Sequence, residues 1–368
     1  TTLALTGSTP TGWIIFGYAL LVSGLVSPKV GDLIEQYGGR PVLMGSAVLM
    51  AAGLVILALA PSLPVFTIGW LVLGVAMGAG LYDPAFAALG RLYCKGARAI
   101  ITSLTLVGGF ASTVCWPLSA VLLQHFGWRG TCLAYAAINL LVVLPLYRFG
   151  LPAEPARAVT RRSRKAAAVT GPAQLCAPHE GRRVSLVAVG MTLSSIIAAV
   201  MSVHLLTILR ERGVTLDTAV ALGAVVGPCQ VGARLIDLLA GQRTHPVWEG
   251  ILSAIFVSLG LGLLLVRHDA VLVALIIYGG GIGLRSIVRG TLPLALFGPV
   301  GYASLVGRLA FPMLLGQAAA PSAGALLLAH FGGRSVLVAL FWTALATLAF
   351  GVLLLPFARR PQARRAPP

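Results

Sequence analysis

The sequence predicts an all-α polytopic membrane protein with eleven spanning helices, on three observations. Hydrophobic residues make up 58% of the 368 residues and charged ones only 10%, where about 25% is usual for a soluble domain. Polar surface on that scale cannot clothe a water-soluble body of this length, so lipid must be the solvent. The apolar residues fall in runs of spanning length, at 10–30, 42–60, 65–89, 99–123, 130–147, 184–209, 216–240, 247–266, 270–297, 303–329 and 335–357. No stretch alternates apolar and polar residues over the ~10 positions a barrel strand needs.

The net charge of +17 reports topology and not a nucleic-acid partner, because the basic residues sit in short clusters between the apolar runs. Assigning alternate loops to alternate sides places nineteen Lys and Arg on one side and five on the other. The richer side holds Lys29, Arg40, Arg91, Lys95, Arg98, Arg243, Arg308, the stretch from Arg148 to Arg183 and the C-terminal arginines. The positive-inside rule makes that side cytosolic. The stretch 148–183 is rich in Pro, Ala, Arg and Ser and reads as a cytosolic linker between a bundle at 1–147 and a bundle at 184–358, with 359–368 as a cytosolic tail. Pro84, Pro117, Pro228, Pro293, Pro312 and Pro321 lie inside spans, where kinks are expected in place of breaks. Cys94, Cys115, Cys132, Cys176 and Cys229 are too scattered for a disulfide framework or a zinc site. No metal or cofactor motif is present, and without a P-loop, transport on this chain is not driven by ATP. A clustered nucleophile, base or metal set inside the spans is also missing, so the chain does not read as an enzyme.

Self-comparison suggests an internal duplication. His125-Phe126-Gly127-Trp128-Arg129 recurs as His330-Phe331-Gly332-Gly333-Arg334, each after a Pro-bearing span; Gly80-Leu81 recurs as Gly283-Leu284, and Arg40 as Arg243. On this pattern the run at 184–209 needs a counterpart ahead of Thr1, which predicts a twelve-helix parent with an additional first helix.

The segment Gly31-Asp32-Leu33-Ile34-Glu35-Gln36-Tyr37-Gly38-Gly39-Arg40-Pro41, read as a loop, resembles the signature between the second and third helices of the major facilitator superfamily of secondary transporters, G-x-L-x-D-x-x-G-R-R. Glu35 stands for the usual Asp and Gly39 for the first Arg. The resemblance extends over essentially the whole chain through span number, basic linker and half-repeat. It implies two six-helix bundles with inverted repeats, alternating access, a small-molecule substrate, protons as coupling ion, a single chain in a bacterial cytoplasmic (inner) membrane, and no nucleic acid. In the signature, Gly31 permits close helix approach, Gly38 a tight turn, and Glu35 an ion pair across the cytosolic face that latches one state; an ordinary charged hairpin that sets topology is the alternative. The C-terminal counterpart is Gly232-Ala233-Arg234 through Asp237, Gly241 and Arg243. Arg234 and Asp237 are three residues apart, so they pair with each other or form the second latch. Tyr93-Cys94-Lys95-Gly96-Ala97-Arg98 is similar to the basic entry segment of monocarboxylate transporters. The G-x-x-x-G-P-x-x-G signature of drug:proton antiporters is not intact around Pro117 and survives loosely at Gly316, Ala320, Pro321 and Gly324.

Charge inside a span is a functional candidate by default, because it costs ~2.5–3.5 kcal/mol or more unless it faces protein or water. Arg285 is the leading one: it falls on the tenth helix of the parent, which the resemblance makes a wall of the central cavity, and its fork suits a carboxylate or phosphate. The alternative is a structural arginine satisfied by carbonyls or by Asp83. Asp83, in Leu81-Tyr82-Asp83-Pro84, reads as a gate or cap residue, or as a proton carrier. Arg289, one turn beyond Arg285, snorkels to the interface. Gln230, Gln317 and Asn139 are intermediate in depth and serve as interhelical glue or as solute contacts. Trp116 is deep enough for a cavity wall, whereas Trp13, Trp128, Trp248 and His204 belong at boundaries. The expected function is secondary active transport of a small amphipathic or anionic solute with proton coupling. The rival readings are a multidrug-type proton antiporter for lipophilic compounds and a non-transporting membrane sensor on the same fold.

Overall fold

The computed structural model describes residues 9–152, 178–240, 244–267 and 269–358. Among these residues there is no strand. The helices are α1 (Thr9–Tyr37), α2 (Gly39–Leu59), α3 (Leu63–Gly80), α4 (Tyr82–Tyr93), α5 (Ala97–Gly109), α6 (Ala111–Ile138), α7 (Leu144–Gly150), α8 (Pro178–Glu211), α9 (Leu216–Leu239), α10 (Pro246–Val266), α11 (Val271–Phe297), α12 (Tyr302–Leu353) and the short α13 (Leu355–Ala358). A π-helical turn at Asn139–Val143 joins α6 to α7, and a 3₁₀ turn at Cys94–Gly96 joins α4 to α5. The eleven apolar runs fall on these helices, interrupted inside 65–89 at Leu81, inside 99–123 at Phe110 and inside 130–147 by the π turn. The helix starts follow local chemistry: Pro sits in the first turn of α3 and of α10, where its missing N–H is no loss. Thr215 caps α9 by accepting from the Thr218 N–H at 3.4 Å.

The structure departs from the sequence reading at two places. Residues Gly31 to Tyr37 are not a loop but the last turns of α1, and the whole connection to α2 is Gly38, at φ 87°. The run at 65–89 is not one kinked helix: Leu81 is extended (φ −84°, ψ −158°) between α3 and α4, so the chain breaks just ahead of Pro84. Pro84 falls in the first turn of α4, where its missing N–H is no loss. α7 runs to Gly150 and α8 starts at Pro178; most of the stretch read as the linker, 153–177, falls outside the described residues, as do Gly241 and Arg243.

The repeated His-Phe-Gly motif is a pair of hinges. Gly127 (φ 63°, ψ −178°) divides α6 and Gly332 (φ 75°, ψ 172°) divides α12, so each long helix is two spans meeting at one residue. That backbone region is open essentially to glycine alone. Neighbouring side chains tie each hinge down. Arg129 donates to the Ala60 carbonyl at the end of α2 (3.0 Å) and lies over the Trp128 ring. At the second hinge the Gly333 N–H donates to the Glu211 carboxylate (2.5 Å), and Arg212 donates to the Leu265 carbonyl at the end of α10 (3.1 Å). Desolvation, and then the Arg334 charge, lower the pKa of this Arg212.

The chain packs as two compact units, and each takes in a segment from the other half of the sequence. One comprises residues 1–100, 110–164 and 299–319; the other comprises 101–109, 165–298 and 320–368. In the first unit, the beginning of α12 lies against α1 at glycine contacts: a Cβ on Gly31 would come within 2.5 Å of the Ala303 carbonyl, and one on Gly307 within 2.5 Å of the Ser27 carbonyl. The Tyr302 ring fills the space that Gly90 of α4 leaves. The second unit has a core of Leu261, Leu275, Leu337, Ala274, Val336 and Ala344. Many large apolar side chains are exposed, Leu141, Leu239, Val266 and Trp342 among them, which is the expected surface of a body whose solvent is lipid.

Two outcomes follow. Nothing lies within 4 Å of a Cβ built on Gly127, and Gly332 meets only the Glu211 carboxylate at 3.8 Å; alanine at either site therefore adds backbone strain alone, and each variant should lose ~1–3 kcal/mol, read as a lower unfolding temperature in detergent. Gly90→Ala should destabilise the protein through its clash with Tyr302, and adding Tyr302→Ala should recover part of that loss; additive losses in a double-mutant cycle would contradict the contact.

Candidate functional site

α11 is the scaffold of the site in the second unit. Its glycines allow backbone-close crossings on two sides, as the absence of a hydrophobic drive between helices in lipid demands. Gly283 lies against α9, where a Cβ would stand 2.9 Å from the Gln230 Cα, and Gly281 lies against α10, 2.9 Å from the Ser253 carbonyl. The Ser253 hydroxyl donates to the Gly281 carbonyl at 2.7 Å and locks the second crossing.

Arg285 follows directly, near the middle of the 27 residues of α11. Its Nη1 donates to Ser195 Oγ of α8 at 3.4 Å, and its Nε is buried with no acceptor. Among the described residues this is the one hydrogen bond its guanidinium makes, and no carboxylate of this unit pairs with it. The neighbouring cations that act on it are Arg289 and Arg234. Beside it lies a cavity of about 10 Å³ lined by Ser194, Ile197, Val257, Ile282 and Thr347 as well as Arg285. That is room for about one water. The Thr347 hydroxyl is committed to the Thr343 carbonyl (2.9 Å).

Arg234 is 6% exposed and joins three helices. It donates to the Thr105 carbonyl of α5 (2.7 Å), to Ser286 Oγ of α11 (2.9 Å) and to Gln230 Oε1 of its own helix (3.4 Å). Gly109 gives it space, since a Cβ there would stand 2.7 Å from Nη1. Ser286 thus connects Arg234 to the residue next to Arg285, and Arg234, Gln230 and Arg285 share one region of this unit. Asp237, 8% exposed, lies one turn beyond Arg234. Arg289 is half-buried one turn beyond Arg285.

The remaining candidates lie in the first unit. Gly31 faces Ala303 and Gly307 of α12. Glu35 is in the last turns of α1, Gly38 is the hinge, and Arg40 is half-buried at the start of α2. Arg91 of α4 donates to the Ile34 carbonyl (2.8 Å) and to the Glu35 carbonyl, so it caps α1 where the sequence suggested only topological charge. Asp83, 8% exposed, is in the first turn of α4. Asn139 donates to the Tyr135 carbonyl (2.9 Å) at the start of the π turn; its amide is engaged with its own helix. Gln317 is half-buried on α12 in this unit, so it is not in the same unit as Arg285. The Trp116 side chain is outside the described residues.

Sequence reasoning missed Ser195, Ser286, Thr105 and Arg91. Hydroxyl residues inside spans were the available signal, because Ser and Thr in lipid find partners on neighbouring helices or on their own backbone.

The sequence profile of the Major Facilitator Superfamily matches residues 2–287. Monocarboxylate transporter 11 of Homo sapiens is 32% identical over 335 residues, which are 84% of this chain and 67% of the human protein. Monocarboxylate transporter 11 of Mus musculus is 34% identical over 157 residues, 40% of this chain and 34% of the mouse protein. The aligned part of the chain thus spans between a third and two thirds of the length of these relatives. Two solved structures share the fold. The human organic anion transporter MFSD10 (TETRAN) superposes with a TM-score of 0.75 at 16% identity, covering 92% of this chain and 83% of that one. The proton:xylose symporter XylE bound to 6-bromo-6-deoxy-D-glucose gives 0.70 at 15% identity, covering 96% and 88%. With apolar helices throughout, a profile match over most of its length and this fold, the chain is a multi-pass integral membrane protein that belongs to the major facilitator superfamily, a family of transporters and not of enzymes.

Proposed function

We propose that the protein is a secondary active transporter of a small organic anion, moved by alternating access together with a proton, and that Arg285 holds the anionic group. One observation carries this reading: Arg285 is a guanidinium inside a membrane helix with a single long hydrogen bond, a buried Nε without acceptor and cations for neighbours. A charge in that setting is costly until an opposite charge reaches it. A carboxylate accepts from the guanidinium fork in two parallel hydrogen bonds and supplies the missing charge. Arg234 on the neighbouring helix, held by Gln230 and Ser286, adds to the positive field, and the apolar walls Ile197, Val257 and Ile282 suit the rest of an amphipathic solute. The names of two related proteins, a monocarboxylate transporter and an organic anion transporter, point to the same chemistry. One anion moved with one proton carries no net charge, which removes the Coulombic cost of crossing the bilayer. The proton symport named for XylE supports that coupling.

Gly31, Glu35, Gly38, Arg40 and Asp83 in one unit, and Arg234, Asp237 and Arg289 in the other, form the gating set of this proposal. Arg91 joins it through its hold on the end of α1. The two bundles are taken as 1–147 and 184–358, in a cytoplasmic (inner) membrane with linker and tail inside, as the positive-inside rule requires.

The test combines a thermal-shift screen of the full-length protein with uptake of labelled pyruvate into proteoliposomes. Small organic anions at 100 times their dissociation constant should stabilise the wild type by ~2.7 kcal/mol. Arg285→Gln should weaken that binding by about 30-fold or more, the equivalent of ~2 kcal/mol for truncating a buried charge pair. Arg285→Lys should retain part of it, because the charge survives without the fork. An acid exterior should accelerate pyruvate uptake. Stabilisation by lipophilic cations alone, unchanged in Arg285→Gln, would sink the anion reading in favour of a multidrug-type exporter. Anion binding without flux would leave a sensor.

A further inference from the structure

The span over 63–93 is continuous in hydropathy but not in backbone. α3 stops at Gly80 and α4 restarts at Tyr82, with Leu81 extended between them. The internal repeat does not require this break: the related helix α11 runs without interruption from Val271 to Phe297 and carries Ser286 where α4 carries Asp83. A discontinuous helix at membrane depth is tolerated where protein or a cavity receives the freed backbone, and transporters use such sites to hold ions.

A cavity is present at this break. It has a volume of about 10 Å³ and is lined by Asp83 and Ala87 of α4, Ser27 and Gly31 of α1, Gly78 of α3 and Gly307 of α12. That volume admits about one water. Its glycine walls are in backbone contact: a Cβ on Gly78 would stand 2.8 Å from the Ser23 carbonyl. Asp83 and Ser27 are therefore the polar side chains that face it. The Ser27 hydroxyl donates to the Ser23 carbonyl at 2.7 Å, so it offers the cavity lone pairs and not a proton. Asp83 is 8% exposed, in the first turn of α4, where the helix dipole favours its anion. From α12 the Tyr302 phenol, 1% exposed, interacts electrostatically with it. On its own helix the nearest ionisable groups are Tyr82 and then Arg91, which donates to the Ile34 and Glu35 carbonyls of α1, and α2, which also packs on α4, carries Arg40. The residues of α1 and α3 that line the cavity carry no ionisable group.

We infer that Asp83 is the carboxylate that takes up and releases the coupled proton, with the cavity beside it holding the water through which the proton passes. The inference rests on the proton-coupled reading above and assigns its coupling group. Anion recognition and proton binding then belong to different units, Arg285 in one and Asp83 in the other. The protonated acid suits a slot walled by glycine, alanine and Pro84, whereas the positive end of the α4 dipole favours the carboxylate. One charge thus biases two packings of α1, α3, α4 and the beginning of α12, as a switch of this kind requires.

The experiment uses the full chain in lipid, with Asp83→Asn and, mirroring the repeat, Asp83→Ser. In proteoliposomes, an imposed gradient of about one pH unit should let the wild type accumulate pyruvate up to about tenfold, the ratio set by ~1.4 kcal/mol per proton. Both variants should lose this accumulation while exchange of labelled for unlabelled pyruvate persists. Infrared difference spectra between neutral and mildly acid pH should show a protonated-carboxyl band in the wild type and in Asp217→Asn that is missing from both Asp83 variants. A variant that accumulates like the wild type, or that keeps the band, overturns the inference. Failure of the wild type to exchange pyruvate would sink the organic-anion reading instead, and the infrared band would still decide on Asp83.

Discussion

Close backbone contact at glycine holds this protein together. In lipid there is no hydrophobic gain from bringing two apolar helices together, so dispersion at short range and hydrogen bonds between helices must supply the attraction. Gly31 and Gly307 bring α12 against α1; Gly281 and Gly283 bring α11 against α10 and α9. Everything at the sites depends on these crossings. The Gly283 approach to Gln230 sets α11 close enough for Ser286 to accept from Arg234, and the Gly281 approach to Ser253 fixes the other side of the same helix four residues short of Arg285.

The same closeness makes each buried polar group expensive or useful. Most are settled by the backbone: Ser27, Thr291, Thr192 and Thr347 donate to carbonyls one turn back on their own helices, which costs little and leaves no charge behind. Arg234 is settled by a carbonyl, a hydroxyl and an amide on three helices. Arg285 is not settled in this way, and the proposed anion-binding role rests on that difference between two arginines on neighbouring helices. Asp83 differs again, in a break of the backbone that its repeat-related helix does not share.

The internal duplication has unequal consequences along the chain. At the His-Phe-Gly motif both copies keep the glycine and both become hinges, because the backbone angle itself demands that residue. The partners of the two hinges differ: Arg129 reaches a carbonyl in the first copy, while Glu211 and Arg212 from another helix secure the second. Duplication therefore preserved the geometry of the turn and let the side chains around it diverge.

The sequence by itself determined that the chain is helical, that lipid is its solvent, where the spans lie, and that His125-Phe126-Gly127 and His330-Phe331-Gly332 are equivalent. Hydropathy and a backbone angle restricted to glycine are properties of local sequence, which is why they were legible. The break at Leu81 was not, because it depends on neighbours that stabilise freed backbone in the middle of an apolar run. Nor was the extension of α1 through Glu35 to Tyr37, whose last carbonyls are taken by Arg91, more than 50 residues away. Arg285 could be singled out from sequence as a charge in a span, but that its hydrogen bond among the described residues goes to Ser195 of α8 and not to a carboxylate is decided by neighbouring helices. Only tertiary structure decided that Gln230 serves Arg234, that Asn139 serves its own helix, and that 101–109 and 299–319 pack with the opposite halves of the chain. The physical reason is common to all of these: partners in lipid are chosen by distance between helices, and distance between helices is not written in any single span.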